Sequence, residues 1–70
     1  MVVQSVHFSE KHWNEKDAEE WLKEHKYHPS KGVDKEMAGW LRYRIVPPNK
    51  FERFITRKLK NHINLIIGFE

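Results

Sequence analysis

The sequence predicts a small α+β fold: an antiparallel-rich sheet in β-α-β-β-β order, with one helix packed on one side. Three observations predict it. Strand-like alternation opens and closes the chain, and a capped amphipathic segment lies between. The chain has 70 residues, so one domain, residues 1–70, is expected, with no room for a second core. No linker, internal repeat or low-complexity run divides it.

The first segment, Val2–Phe8, alternates, with Val2, Gln4, Val6 and Phe8 expected on the core side and Val3, Ser5 and His7 on the other. A helix is expected at about Asn14–Lys26. Asn14 is a good N-cap, Asp17 sits where a capping-box acid sits, and Trp13 and Ala18 occupy the positions of a hydrophobic staple. Ala18, Trp21, Leu22 and His25 then share one helical face, and Pro29 and Gly32 are expected to end the helix. Glu15, Lys16, Glu19, Glu20, Lys23 and Glu24 form the solvent side.

Met37–Val46 reads as the second strand. Met37, Gly39, Leu41, Tyr43 and Ile45 face the core, and Pro47-Pro48 end the pairing because neither has an N–H to donate. Asn49 to Phe54 can form one helical turn. Phe54–Leu59 and Ile63–Phe69 then read as a hairpin about Lys60-Asn61-His62, with Asn61 accepting a positive φ. Phe51, Phe54, Ile55 and Leu59 also fit one helix over residues 49–59, which is the rival reading.

One helix covers one side of such a sheet, so the other side faces water or a partner. Trp40, Arg42 and Arg44 are expected to project there, bordered by Val3, Ser5 and His7. A guanidinium offers forked donors to phosphate, and an indole stacks on a base. Arg53, Arg57, Lys58 and Lys60 form a second basic cluster near the hairpin, the last three being candidate phosphate contacts. Charge distribution agrees. Residues 1–40 hold six Lys/Arg against eight Asp/Glu, whereas residues 41–70 hold seven against two, −2 and +5 within a net +3. The same residues also serve on an ordinary solvated sheet, where arginines flank aromatics and lysines guard edges.

Other classes are disfavoured. There is no cysteine, so no disulfide, which fits a reducing compartment. Five histidines invite a metal site, yet the spacing of His12, His25 and His28 matches no zinc pattern, and neither metal nor cofactor is expected. With three glycines there is no phosphate-cradling loop, and no nucleophile stands beside a base and an orienting group, so an enzyme is not expected. Met1-Val2-Val3-Gln4 lacks the basic start and apolar run of a signal peptide, and Leu65–Phe69 is too short to span a bilayer.

Ala18-Glu19-Glu20-Trp21-Leu22-Lys23-Glu24-His25, Leu41-Arg42-Tyr43-Arg44, the Phe51–Leu59 segment and Ile63–Phe69 together resemble a small uncharacterised domain family of tailed phages and large DNA viruses. The resemblance covers most of the chain. Its motifs are a helix with Trp-Leu-Lys, a Tyr-x-Arg strand, a Phe-x-x-Phe segment and a closing Ile-Ile-Gly-Phe strand. The family commonly carries a glycine between its last two strands, where Asn61-His62 stands here, leaving the turn type open. The resemblance implies a virion or genome-packaging context, inside the host cell or the particle, and no catalytic residue. The expected function is therefore a small, non-enzymatic accessory protein that binds nucleic acid of either type through the open sheet side. The rival is a protein-interaction or virion-assembly module, a homodimer being one form of it.

Overall fold

Alternation at the start of the chain becomes β1, Val2–Ser9, in a computed structural model that describes all of residues 1–70. There follow α1 (Glu15–Glu24), β2 (Trp40–Arg44), a single 3-10 turn at Pro48–Lys50, β3 (Arg53–Lys58) and β4 (Ile63–Phe69). The four strands form one antiparallel sheet in the order β2-β1-β4-β3, and α1 lies against one side of it. The predicted α+β class and β-α-β-β-β order are those observed. No helix is long and apolar enough to cross a membrane.

The core is centred on Phe8, fully buried in β1. Trp13, Trp21 and Tyr43 all meet its ring edge-to-face, with centroids 5.1, 5.6 and 5.7 Å away. Val6, Ala18, Leu22, Leu41 and Ile63 complete the buried cluster. Burying each large apolar side chain contributes about 1.5–3 kcal/mol, so this cluster dominates a domain with no covalent staple. None of its members comes from β3, whose six residues are all exposed.

Helix α1 begins as expected, the Asn14 side chain accepting the Asp17 N–H at 2.8 Å. Its end differs from expectation. Lys26 takes φ 62, the Lys26 N–H donates to the Lys23 carbonyl, and the Tyr27 N–H reaches back to the Leu22 carbonyl. Those bonds form a Schellman cap at a lysine, so the helix closes before Pro29 and Gly32. His25 is exposed rather than inner. It stacks on Trp21, with centroids 3.8 Å apart, and its Nδ1 lies 2.8 Å from the Trp21 carbonyl.

Two other expectations are corrected. Met37–Gly39 form a turn, not the start of the second strand, because Gly39 adopts φ 83 and the Trp40 N–H returns to the Met37 carbonyl. In β1 a bulge at Gln4 shifts the register, so Val3 pairs with Ile67 and packs on the core, while Val2 is exposed. The extra residue is anchored at both ends: its carbonyl accepts the Ile45 and Val46 N–H groups, and its side-chain amide donates to the Val46 carbonyl. Residues 49–59 are not one helix. Beyond the 3-10 turn they extend as β3, paired from Arg53↔Phe69 to Lys58↔Asn64.

The β3–β4 turn takes two left-handed residues without glycine, Asn61 at φ 67 and His62 at φ 62. Asn and His are among the residues that best tolerate this region. Two contacts hold them there: Trp13 Nε1 donates to the Asn61 carbonyl at 2.7 Å, and the His12 ring stacks on His62.

Candidate nucleic-acid interface

Strand register decides which side chains share the uncovered side. Trp40, Arg42 and Arg44 stand opposite Ser9, His7 and Ser5, which alternate with the core residues Phe8 and Val6. Asn64 and Ile66 continue the face on β4, and Phe54, Thr56 and Lys58 on β3. One cross-strand row therefore runs Arg42, His7, Asn64, Lys58. At about 4.8 Å per strand it is about 14 Å wide.

Trp40 is partly exposed, and its ring centroid lies 6.4 Å from that of His7. The Arg42 and Arg44 guanidinium groups converge rather than diverge, both turning to Asp34. Arg42 holds that carboxylate through Nε and an ion-paired terminal nitrogen, while Arg44 stands off at 3.6 Å. The Arg42 hydrogen bond, reinforced by the Glu36 N–H, keeps the Asp34 carboxyl below its ordinary range. Asp34 was missed in the sequence. It arrives from the acidic half of the chain through a loop, and its backbone pairs with Arg42 in both directions. No local pattern announces that crossing.

Beneath the arginines, Ser5 Oγ and His7 Nε2 are hydrogen-bonded at 3.2 Å. Burial, with Arg42 adding to it, lowers the His7 pKa from 6.5 to about 4, so the ring is neutral at pH 7. Ser5 is 1% exposed, which leaves its hydroxyl no approach for a substrate. The bond satisfies two buried polar groups.

Two concavities open on this face. One, of about 240 Å³, is lined by Gln4, Ser5, His7, Arg42, Arg44, Pro48, Phe54 and Ile66. The other, of about 510 Å³, brings Trp40 together with Ser9, Lys58, Leu59, Lys60, Asn61, His62 and Asn64. Of the six candidate residues, Trp40, Arg42, Arg44 and Lys58 thus share the open face, and Lys60 lies at its rim. Arg57 does not join them. It pairs with Leu65, so it projects on the helix side.

The chain matches no family model, no curated protein and no solved structure. The resemblance to the viral domain rests on the motifs named above. Within those motifs Phe51 and Phe54 meet edge-to-face at 5.9 Å, and the Phe51 ring lies on Gly68, where a β-carbon would collide with it. The Phe-x-x-Phe and Ile-Ile-Gly-Phe segments are therefore packing partners.

Proposed function

We propose that the open face binds single-stranded nucleic acid, the protein being the small non-enzymatic accessory type that its resemblance implies. The observation that carries this reading is the convergence of Arg42 and Arg44 beside the accessible indole of Trp40, on the side that α1 leaves uncovered. Trp40 stacks on a base, with Phe54 as a second apolar platform. Arg42 and Arg44 take phosphate oxygens, and Lys58 and Lys60 extend the positive track. Asp34 competes for both guanidinium groups, so phosphate must displace it.

Titration of labelled single- and double-stranded DNA and RNA, at two salt concentrations, tests this. Single strands are expected to bind with steep salt dependence. Arg42→Ala and Arg44→Ala each reduce the log–log slope by about 0.7 for a lost single-strand phosphate contact. Trp40→Ala costs about 1–3 kcal/mol, the usual worth of one stacked base. Asp34→Asn tightens binding by removing the competitor, and Arg57→Ala leaves it nearly unchanged. Absence of binding at low salt, or binding indifferent to both arginine variants, overturns the reading.

A second reading, a protein-assembly module, is favoured by a separate observation. Phe54 and Ile55, on opposite sides of β3, are 43% and 49% exposed.

A further inference from the structure

The two edges of the sheet are treated unequally. In β2 the outward-pointing groups are already satisfied. Asp34 exchanges backbone bonds with Arg42, the Ser30 N–H reaches the Arg44 carbonyl, and the Trp40 N–H reaches the Met37 carbonyl. In β3 they are bare. The Leu59 N–H bonds the Ile63 carbonyl, which by alternation turns the Arg57, Ile55 and Arg53 backbone groups toward β4. Those of Phe54, Thr56 and Lys58 therefore point away from the sheet, and no backbone or side-chain group meets them. The bare edge coincides with exposed Phe54 and Ile55 and with a strand that contributes nothing to the core.

We propose that β3 pairs antiparallel with β3 of a second copy of this chain, about a two-fold axis at Ile55, joining two sheets into one of eight strands. This deepens the assembly reading and does not depend on nucleic-acid binding. Charge complementarity selects the occupant and the register. A two-fold axis normal to the sheet keeps each side chain on its own face, so only residues of like parity can stand opposite. With Ile55 against Ile55, Glu52 falls opposite Lys58 of the partner at both ends, and Phe54 falls opposite Thr56. Glu52 is the only acid among residues 37–69, and this register matches it to a base twice. Arg53 and Arg57 also come opposite one another, on the helix side. Arg53 is drawn back over its own Phe69 ring, 5.1 Å from the centroid, which turns its charge away from the edge. The shift of one pairing step that sets Thr56 against Thr56 places Phe54 opposite Lys58 and Ile55 opposite Arg57, and loses the Glu52 match.

Sedimentation velocity over a wide concentration range, without nucleic acid, tests the pairing. The wild type is expected to pass from monomer to dimer. Glu52→Lys and Lys58→Glu each replace two attractive cross-strand pairs with two repulsive ones and weaken the dimer about tenfold. An equimolar mixture of the two variants restores it, because the heterodimer regains both opposite-charge pairs. Thr56→Pro removes an outward N–H that the β4 ladder does not use, so it abolishes the dimer while circular dichroism is unchanged. Amide exchange at Phe54, Thr56 and Lys58 slows only in the dimer. A wild type that stays monomeric at the highest concentration overturns the proposal. So does a dimer that survives Thr56→Pro and both charge reversals, or one lost only with Trp40→Ala. Failure of nucleic-acid binding leaves these results unaffected, and failure of dimerisation leaves the binding titration unaffected.

Discussion

Acidifying the solution from neutral pH to about 4 forces a proton onto His7, and the fold resists it. The ring is 8% exposed, bonded to Ser5 and set beneath Arg42. Burial is the larger cause of its lowered pKa, Arg42 adds to it, and Asp34 opposes both. Because the folded-state value lies below the unfolded one, the folded state binds this proton more weakly. The resulting stability is complete above about 6.5 and is lost as pH falls toward about 4. The gap between 6.5 and about 4 corresponds to about 3 kcal/mol. A core of this size supplies only about 3–5 kcal/mol in all, so the protein is expected to lose most of its stability across that window. Asp34 acts elsewhere: its carboxyl is held below 3.8, so its contribution disappears only at still lower pH. Urea unfolding followed by tryptophan fluorescence, in steps from about pH 7.5 to about 4, measures the loss. His7→Gln keeps a polar partner for Ser5 and cannot be protonated, so its stability should change far less over the same range. Equal pH dependence in the two proteins, or a His7 ring titrating near its ordinary value by NMR, refutes the reasoning.

Two further perturbations probe the scaffold. Asn14→Ala removes the acceptor for the Asp17 N–H and should cost about 1 kcal/mol in thermal unfolding, while Asn14→Asp costs little. Gly68→Ala drives a methyl into the Phe51 ring and should destabilise by about 1–3 kcal/mol. Combined with Phe51→Leu, much of that penalty should disappear, and a double-mutant cycle reads the coupling directly.

What the sequence made legible was local. Helix α1 could be read because its cap, staple and apolar face lie within one short stretch, and Leu41, Tyr43 and Ile63 because alternation exposes a core side. The helix end was misplaced because Lys26 performs what glycine usually does, and a left-handed lysine leaves no compositional trace. Val2 and Val3 exchanged sides because a bulge is set by Gln4 bonds to Ile45 and Val46, far away in the chain. In the candidate site, Trp40, Arg42, Arg44 and Lys58 followed from strand phase alone. Arg57 did not, since a hairpin cluster says nothing about which side each base takes. Asp34 was invisible for a related reason: its role depends on a loop laid along β2, a tertiary event with no periodicity.

That loop has a consequence for how ligand capture and folding are linked. Asp34 grips Arg42 twice, once through reciprocal main-chain bonds and once through the carboxylate. An arriving anion that draws the guanidinium away breaks only the second grip, while the main-chain rungs stay closed. Occupancy can therefore turn over without loosening the β2 margin of the sheet. An Arg42 substitution then reports on recognition rather than on unfolding.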